Sequence, residues 1–468
     1  MKPLAIAEIR RAIQGVPRSP LPEVSVQGVS IDSRTAQPGD VFFAIKGENC
    51  DGHDFLPQAA EAGCIAAVVR RDTQISPDVA RLFGCGLLEV DDTTAALGRL
   101  GAYHRSIIPA TVVAVTGSNG KTTVKRMIHH VLSTRMRGTC SPKSFNNAVG
   151  VPLTLLGAGA ADDYLVVEIG TNAPGEVAAL ARMAKPDIAV ITGIAEAHLA
   201  GLGSLERIAA EKASILGFLE EGGLGIVWSD SEPLNRAAGG YDARLVRFGE
   251  AESADIRLTA YEPVAGGCNY EINGSVRASL PLPGRHNAIN ALAAVAVARR
   301  LGMDLSEAAA ALADFQPVEM RTERIDAGGV TLINDAYNAN PTSMLAAADV
   351  LAETDASRRV LIAGDMLELG PDEVNIHTRT GRELAAKGLD LLIGVGKLGR
   401  YIATGAGEAG LPAQTFESVT AASRGLAGLL RAGDAVLLKG SRAMRMERLV
   451  KPIVRAFAPK RNRKQSKR

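Results

Sequence analysis

Short apolar runs alternate with turn residues in the first part of the chain. Up to about residue 97 the apolar runs are "VSVQGVSIDS", "DVFFAI" and "CIAAVVR", and one helical stretch, "LPQAAEAG", lies between them. Runs of four to eight apolar and β-branched residues bounded by turn signals are typical of strands. The pattern predicts a small mixed α/β domain over residues 1–100.

The middle of the chain has longer helices between its apolar runs. It opens with "TVVAVTG", and the later runs are "YLVVEIG", "PDIAVITG" and "LGIVWS". An uninterrupted apolar run is typical of a strand that is buried on both faces. Strands that alternate with helices predict a mostly parallel sheet covered on both sides, so we expect a central domain over residues 101–318.

The alternation breaks near "LADFQPVEMR", after the alanine-rich helix "NAINALAAVAVARRLG", and then starts again. The later strand candidates are "VTLINDAYN", "RRVLIAGD", "LDLLIGVG" and "DAVLLKGS". They predict a second sheet domain over residues 319–459, which makes the whole chain an α/β protein of three domains. Residues 460–468 carry six basic residues and no acidic one, and we interpret them as a disordered tail without a function of its own.

Composition excludes several classes of protein. The chain has 52 Lys and Arg against 51 Asp and Glu, so its overall charge does not indicate nucleic-acid binding. The five cysteines form no C-x-x-C pair, which argues against a disulfide framework or a zinc site and favours a reducing compartment. No apolar run approaches membrane-spanning length, and the N-terminus lacks a signal-peptide core. We expect a cytoplasmic protein that is not an integral membrane protein.

The segment "AVTGSNGKTTVKRM" has the order strand, glycine-rich turn, helix, which directs backbone amides and the helix dipole at an anion. It does not fit the usual P-loop pattern G-x-x-x-x-G-K-[ST], because only two residues separate Gly117 from Gly120. Lys121 would nevertheless reach the β- and γ-phosphates of a nucleotide, and the Thr122 hydroxyl would lie on a magnesium ion. The segment predicts a phosphate site for ATP or GTP formed by Gly117, Ser118, Asn119, Gly120, Lys121, Thr122 and Thr123.

Three further residues are weaker candidates on their chemistry alone. Glu168 ends an apolar run, where a carboxylate near a phosphate loop positions a metal ion or water. His198 follows the next strand and so falls at the same sheet edge, but its spacing leaves a structural role equally open. Lys212 lies on an amphipathic helix, where a solvated side chain is the simplest interpretation.

A second glycine pattern occurs late in the chain. Gly394, Gly396 and Gly399 follow a strand and match G-x-G-x-x-G, and Glu417 lies at about the spacing of a ribose-binding acid. This pattern is short and common in strand-turn-helix units. We interpret it as packing that glycine permits rather than as a dinucleotide site.

Several segments resemble the Mur ligase superfamily, which includes the folylpolyglutamate synthetases. The similarity runs from "IDSRTAQPGDVFFAIKGENCDGHDF" through "TGSNGKTT", "KSFNNAVGVPLTLL", "VVEIGTNAPGE", "AEAHLAGLGS", "GRHNAINALAA", "NDAYNANPTSM" and "AGDMLELG" to "LKGSRAMRME". The resemblance implies a UDP-binding N-terminal domain, a central ATPase domain, a Rossmann-like C-terminal domain, a monomer, and amide-bond formation driven by ATP. The tetrad "YNAN" that follows Asp335 is characteristic of the branch that joins D-alanyl-D-alanine to UDP-N-acetylmuramoyl-tripeptide.

The resemblance also implies roles for single residues. Those implied for the catalytic step are Lys121, His198 and Lys212. Those implied for two magnesium ions are Thr122, Glu168, His198 and Lys212, the last as a carbamate. Those implied for ATP beyond the phosphate loop are His286, Asn287, Asn290, Arg321 with Arg324 as the alternative, and Asp335. Those implied for the UDP-linked substrate and the dipeptide are Ser33, Arg34, Lys46, Asn146, Asn147, Lys439, Ser441 and Arg442.

Three alternative functions stay open at this stage. Two are other amide ligases of the superfamily, namely the enzyme that adds the third residue and a folylpolyglutamate synthetase, and "DAYNANP" argues against both. The third is a nucleotide-dependent switch. That hypothesis lacks a guanine-specifying N-K-x-D motif and leaves two domains unexplained.

Overall fold

A computed structural model of the protein describes residues 1–18, 21, 23–83 and 86–458. The described residues form four sheets, of two, five, nine and six strands in chain order. This arrangement confirms the expected α/β class. The predicted tail, residues 460–468, lies outside the described residues.

The N-terminal segment forms the five-stranded sheet and the two-stranded one. Its strands are β1 (Leu4–Ala5), β2 (Val16–Pro17), β3 (Ser25–Val26), β4 (Gly28–Ser30), β5 (Asp40–Phe43), β6 (Ala66–Arg70) and β7 (Leu87–Val90). Its helices are α1 (Ile6–Ile13), α2 (Leu56–Glu61), α3 (Pro77–Leu82) and α4 (Thr93–Ile107). The larger sheet has the order β2-β7-β6-β5-β4, and only its β2–β7 pair is antiparallel.

The central segment forms the nine-stranded sheet. Its strands are β8 (Thr111–Thr116), β9 (Gly138–Cys140), β10 (Tyr164–Glu168), β11 (Ile188–Ile191), β12 (Leu224–Trp228), β13 (Arg244–Gly249), β14 (Ile256–Val264), β15 (Gly267–Ile272) and β16 (Val276–Leu280). Its helices are α5 (Lys121–Leu132), α6 (Gly150–Gly157), α7 (Glu176–Ala184), α8 (Leu199–Leu202), α9 (Leu205–Ala213), α10 (Glu232–Ala238), α11 (Arg285–Arg300) and α12 (Leu305–Ala310). The order is β16-β15-β14-β13-β12-β11-β8-β10-β9, and the strands from β9 to β14 are parallel.

Both faces of the central sheet are covered, as the uninterrupted apolar runs predict. In β8, Val113 and Val115 belong to one hydrophobic core, while Val112 and Ala114 belong to the core on the opposite face. Successive side chains of a strand point to opposite faces, so an apolar run is required when both faces are buried.

The C-terminal segment forms the six-stranded sheet, with the order β17-β18-β22-β19-β20-β21. Its strands are β17 (Glu323–Asp326), β18 (Thr331–Asp335), β19 (Arg358–Gly364), β20 (Leu391–Val395), β21 (Ala413–Phe416) and β22 (Asp434–Lys439). Its helices are α13 (Pro341–Ala352), α14 (Glu373–Ala385), α15 (Gly399–Glu408), α16 (Val419–Gly425) and α17 (Val450–Phe457). Only the β17–β18 pair is antiparallel. Among the described helices, none has both the length and the apolar character needed to cross a membrane.

One of the two predicted domain boundaries lies between secondary-structure elements, and the other lies inside a helix. The boundary near residue 318 lies between a 3₁₀ turn, Ala311–Asp314, and β17. The boundary near residue 100 falls inside α4, which continues to Ile107. The connection from the N-terminal segment to the central one therefore lies after Ile107, where α4 ends, and not near residue 100.

The late glycine pattern packs against its own domain. A Cβ atom on Gly394 would lie 2.2 Å from the carbonyl oxygen of Gly399, so the turn needs glycine for close approach. The amides of Leu398 and Gly399, at the start of α15, donate to Asp365 Oδ1 at 2.8 and 2.7 Å. Because a carboxylate of the same domain uses these amides, they are not free for a pyrophosphate.

His104 on α4 connects the N-terminal and central segments. Its Nδ1 donates to the carbonyl of Leu155 at 3.0 Å, and its Nε2 accepts from the backbone N–H of Lys2 at 3.1 Å. Burial lowers the pKa of His104 to about 4. A neutral ring is required, because a protonated Nε2 cannot accept the Lys2 hydrogen bond.

We expect His104 to make stability depend on pH. The pKa of His104 in the folded protein lies below its unfolded value of about 6.5. The stabilisation that neutral His104 contributes is therefore complete above pH 6.5 and is lost as the pH falls towards 4. Between pH 7.5 and pH 5 the free energy of unfolding should fall by about 2 kcal/mol more in the wild type than in His104→Leu. Denaturant titrations of both proteins at the two pH values measure this difference, and equal losses would contradict it.

Candidate active site

Three neighbouring strands of the central sheet, β8, β10 and β11, end at one edge. In the register of the sheet, Glu168 on β10 is paired with Val115 on β8, and Ile191 on β11 is paired with Thr116 on β8. The carboxyl edge of parallel strands is where α/β proteins bind ligands. The predicted phosphate loop, which follows β8, therefore lies directly beside Glu168.

The phosphate loop has the backbone conformation that its glycines allow. Gly120 has φ 79° and immediately precedes α5, and a Cβ atom there would lie 2.6 Å from Asn290 Oδ1. The amide of Ser118 donates to the carbonyl of Gly193 at 2.8 Å, which fixes the loop against the segment after β11. The shortened loop is thus an ordered turn at the N-terminus of a twelve-residue helix.

Lys121 folds back over the phosphate loop. Its Nζ donates to the carbonyls of Gly117 at 2.8 Å and Ser118 at 3.4 Å. Burial lowers the pKa of Lys121, Glu168 opposes the shift, and Arg321 adds to it. The amino group of Lys121 therefore lies within the loop itself.

Glu168 is the centre of the polar network at the sheet edge. Its Oε2 accepts from Thr122 Oγ1 and from Lys125 Nζ, each at 3.0 Å, and its Oε1 accepts from Asn146 Nδ2 at 2.9 Å. Burial alone would raise the pKa of Glu168, but Lys125, Lys121 and Arg321 outweigh it and hold the pKa below its usual value. The carboxylate is therefore charged and has a fixed orientation.

Sequence reasoning missed Lys125. Its side chain is 0 % exposed and donates to the carbonyl of Lys143 as well as to Glu168. One signal in the sequence could have identified it. Lys125 lies four residues after Lys121, and residues i and i+4 share one face of a helix, so both lysines are expected on the side of α5 that faces the phosphate site.

His198 and Lys212 lie on the same side of the cleft. His198 has φ 57°, lines the cleft and bonds through Nδ1 to Glu368 Oε2 at 2.5 Å. Burial lowers the pKa of His198; Glu368 opposes this shift, and the charges of Lys121 and Lys212 add to it. Lys212 is 1 % exposed, so the interpretation of a solvated lysine is wrong.

The Lys212 ammonium group is isolated. Its Nζ has no hydrogen-bond partner within the described residues. Burial holds the pKa of Lys212 well below its usual range, and the positive charge of Lys121 adds to this shift. The geometry favours a neutral amine at this position.

The C-terminal segment supplies the opposite wall of the cleft. Arg321 Nη2 donates to Thr122 Oγ1 at 2.9 Å, and the guanidinium group lies 4.2 Å from the centre of the Tyr337 ring. Asn340 and Asn119 exchange two amide hydrogen bonds, of 2.8 and 3.3 Å, across the cleft. These contacts join the phosphate loop to the Asp335–Asn340 motif, although about 220 residues separate them along the chain.

The cleft between these walls has a volume of about 470 Å³. The predicted site residues that line it are Ser118, Asn119, Gly120, Lys121, Thr123, Asn146, Asn147, Glu168, His198, His286, Asn287, Asn290, Arg321, Asp335 and Lys439. Asp335 is bonded to Lys439 at 2.5 Å, and burial lowers the pKa of His286.

The other predicted residues lie away from the cleft lining. Arg34 is paired with Asp32 in the N-terminal segment, and the backbone of Lys46 forms an isolated β-bridge with that of Asp51. Ser441 Oγ accepts from the amide of Leu367 at 2.8 Å. The remaining ones are Ser33, Gly117, Thr122, Lys212, Arg442 and the alternative Arg324, which is exposed on β17. Thr122 is bonded to two lining residues, Glu168 and Arg321, and Lys212 is buried near enough to His198 to lower its pKa, whereas the N-terminal residues form a separate group.

Within the described part of the chain, no group of three or more His, Cys, Asp or Glu side chains could hold a metal ion. Glu168 and His198 are the acidic and imidazole candidates at this edge. A magnesium ion here would take other ligands from phosphate oxygens, from Thr122 or from a modified Lys212.

Models of known families match three parts of the chain. The Mur ligase family catalytic domain matches residues 25–105, the Mur ligase middle domain matches 115–298, and the Mur ligase glutamate ligase domain matches 320–442.

Similar proteins span nearly the whole chain. UDP-N-acetylmuramoyl-tripeptide–D-alanyl-D-alanine ligase of Bacillus subtilis is 36% identical over 96% of this chain and 98% of its own length. The ligase of the same name from Escherichia coli is 37% identical over 92% of this chain and 94% of its own length.

The fold is similar to that of two solved structures. MurF from Acinetobacter baumannii superposes with a TM-score of 0.87 at 32% identity, covering 97% of this chain and 99% of that one. MurF from Thermotoga maritima in complex with ADP has a TM-score of 0.80 at 27% identity, covering 92% and 98%. With relatives this similar over their full length, the chain belongs to the Mur ligase family, in the branch of the UDP-N-acetylmuramoyl-tripeptide–D-alanyl-D-alanine ligases.

Proposed function

We propose that the protein uses ATP to join D-alanyl-D-alanine to UDP-N-acetylmuramoyl-tripeptide in the synthesis of peptidoglycan precursors. The observation that carries the proposal is the cleft itself, in which the phosphate loop on one wall faces the Asp335–Asn340 motif on the other. The relatives named for this reaction support the choice of substrates.

The reaction needs ATP because a carboxylate is a poor electrophile. A carboxylate oxygen of the tripeptide attacks the γ-phosphorus, so that a C–O–P link forms and ADP leaves. The amine of the dipeptide then attacks the acyl carbon, loses a proton, and the tetrahedral intermediate expels phosphate. Both steps concentrate negative charge, which the loop amides and Lys121 would stabilise.

The remaining roles follow from position in the fold. His286, Asn287 and Asn290, at the start of α11, would hold the adenine, and Asp335 would meet the nucleotide from the opposite wall. Ser33, Arg34 and Lys46 would bind the UDP group, and Asn146 and Asn147 the sugar beside the ATP site. Lys439, Ser441 and Arg442 are the proposed dipeptide group. The three segments would thus act as UDP-binding, ATP-binding and closing domains.

The residues present fit magnesium. Glu168 is charged and oriented by three hydrogen bonds, one of them from Thr122, and His198 lines the same cleft. Magnesium, when bound, would neutralise phosphate oxygens. The buried, unpartnered amine of Lys212 fits a carbamate, since a neutral amine attacks CO₂, forms an N–C bond and releases a proton. The change replaces a neutral amine with an anion, which would provide a ligand for a second magnesium ion.

We also propose that the protein acts as a monomer in the cytoplasm. The monomer is the state that the resemblance to the Mur ligase superfamily implies. ATP and a UDP-linked precursor are both cytoplasmic metabolites in a dividing bacterium.

Arg321 and Arg324 form a matched pair for a test of the phosphate site. Arg321 Nε is buried without a partner among the described residues, which leaves a donor for an anion, whereas Arg324 is exposed on β17. Arg321→Ala should lower kcat/KM for ATP by about 10²-fold. Arg324→Ala should match the wild type in steady-state ADP release. Equal losses of kcat/KM in the two variants would contradict the assignment of Arg321 to the phosphate site.

The product of the reaction tests the proposed function directly. Purified protein is incubated with UDP-tripeptide, ATP, magnesium and D-alanyl-D-alanine, and the product is analysed by mass spectrometry. We expect UDP-pentapeptide, one ADP per product, and phosphate release that requires the dipeptide. If phosphate were released at the same rate with and without the dipeptide, and no ligated product formed, the proposal would be contradicted.

A further inference from the structure

Two strained residues face each other where the C-terminal segment meets the central one. Glu368, between β19 and α14, has φ 66°, and His198, just before α8, has φ 57°. Left-handed backbone is uncommon for residues other than glycine, and such residues are concentrated at functional sites. The strain falls on both partners of one contact.

Glu368 makes two contacts across this interface. Its Oε2 lies 2.5 Å from His198 Nδ1, and its carbonyl oxygen accepts from the amide of Ala200 at 3.0 Å. Gly370 packs against the same segment, since a Cβ atom on it would lie 3.5 Å from Ala200 Cα. The connection after β19 is therefore fitted to the turn that carries His198.

The carboxylate decides which ring nitrogen of His198 carries the proton. A neutral imidazole has one N–H, and a carboxylate beside Nδ1 holds the proton there. The lone pair is then on Nε2, the nitrogen on the opposite side of the ring. Because His198 lines the cleft, this tautomer leaves the ring able to act as a ligand.

We propose that Glu368 is a positioning residue, which fixes the Nδ1–H tautomer and the ring orientation of His198 only when the C-terminal segment is docked against the central one. Docking of the two segments thereby completes the ligand set of the cleft. The inference rests on the proposed function, because that function gives His198 its role as a ligand.

The same interface provides a control contact. Arg379 on α14 pairs with Glu196 at 2.5 Å, two residues before His198, and contacts neither His198 nor Glu368. Arg379→Gln weakens docking without removing the bond to the imidazole. Comparison of the Arg379 and Glu368 variants therefore separates docking from orientation.

The first test reads the tautomer in the full-length chain. Protein labelled with ¹⁵N-histidine is studied without nucleotide or metal by long-range ¹H–¹⁵N correlation, and the His198 signals are assigned with His198→Asn. We expect Nδ1–H in the wild type, in Glu368→Gln, whose amide oxygen still accepts, and in Arg379→Gln. Glu368→Ala should show Nε2–H or a mixture of tautomers. An unchanged Nδ1–H tautomer in Glu368→Ala would overturn the inference.

The second test is kinetic. Glu368→Ala should lower kcat by about 10- to 100-fold, the usual loss when the partner of a ligand is removed. Glu368→Gln should retain most of the turnover, and Arg379→Gln should lose much less than Glu368→Ala. Equal losses in Glu368→Ala and Arg379→Gln would show that Glu368 only docks the segments. If the wild type makes no ligated product, the proposed function fails, and the tautomer measurement still decides the role of Glu368.

Discussion

Lys121→Ala should lower turnover by about 10³-fold or more and leave the affinity for UDP-tripeptide nearly unchanged. Lys121 lies in the phosphate loop, bonded to the carbonyls of Gly117 and Ser118, and the tripeptide carboxylate must approach a phosphate of the same sign. Removal of the ammonium group takes away one of the charges that offset this repulsion, in a site that water does not screen. The proposed UDP group of Ser33, Arg34 and Lys46 lies in the N-terminal segment, outside the cleft lining, so binding of UDP-tripeptide should be preserved.

Two measurements and one control test this expectation. Steady-state ADP release gives turnover, and calorimetric titration with UDP-tripeptide gives affinity. Arg126→Ala removes a positive charge from the same helix. Arg126 is exposed, contacts Cys140 Sγ at 3.9 Å and does not line the cleft, so turnover of this variant should match the wild type. Near-normal ligation by Lys121→Ala would remove the basis for the phosphate site.

Sequence alone predicted the central sheet well because its strands are buried on both faces. An apolar run such as "TVVAVTG" is typical of a strand that is buried on both faces. The antiparallel strands β14 to β16 were not predicted, although a signal was present. Asn273 and Gly274, with φ 52° and 66°, form a hairpin turn, and an Asn-Gly pair between strand patterns is a strong sign of one.

The helix α4 shows how packing overrides local preference. It contains Gly98 and Gly101, which weaken an isolated helix, and the predicted domain boundary fell inside it. The structure gives both glycines a packing role. A Cβ atom on Gly98 would lie 2.9 Å from Met183 Cε, and one on Gly101 would lie 2.7 Å from Pro152 Cβ. Such contacts come from distant segments, so the local sequence does not contain them.

The candidate site also has one part that the local sequence predicts and another that depends on contacts between distant segments. The phosphate loop is continuous in sequence, so its residue types and spacing were sufficient to predict it. The contacts of Asn119 with Asn340 and of His198 with Glu368 join residues separated by 221 and 170 positions. Only the tertiary fold brings these residues together, which is why Glu368 was absent from the predicted site. Lys125, by contrast, lies on the same helix as Lys121 and had a local signal.

The second large effect is expected at Lys212. Lys212→Ala should lower turnover by about 10³-fold, because loss of the side chain removes the group that a carbamate is built on. A small carboxylate such as formate or acetate should restore part of the turnover, since it can enter the vacated space and supply the missing anion. Lys185→Ala, which removes an exposed lysine at the end of α7, should behave as the wild type without added carboxylate.

The proposed carbamate can also be observed directly. Its formation requires the neutral amine, and the lowered pKa of Lys212 makes that form available at a pH where an exposed lysine stays protonated. Wild-type protein equilibrated with ¹³CO₂ should show a carbamate resonance that is absent from Lys212→Ala and present in Lys185→Ala. Circular dichroism checks that the Lys212 variant is folded. A folded Lys212→Ala protein that turns over normally without added carboxylate would show that the buried amine is structural, and the second magnesium site would then lack its anion.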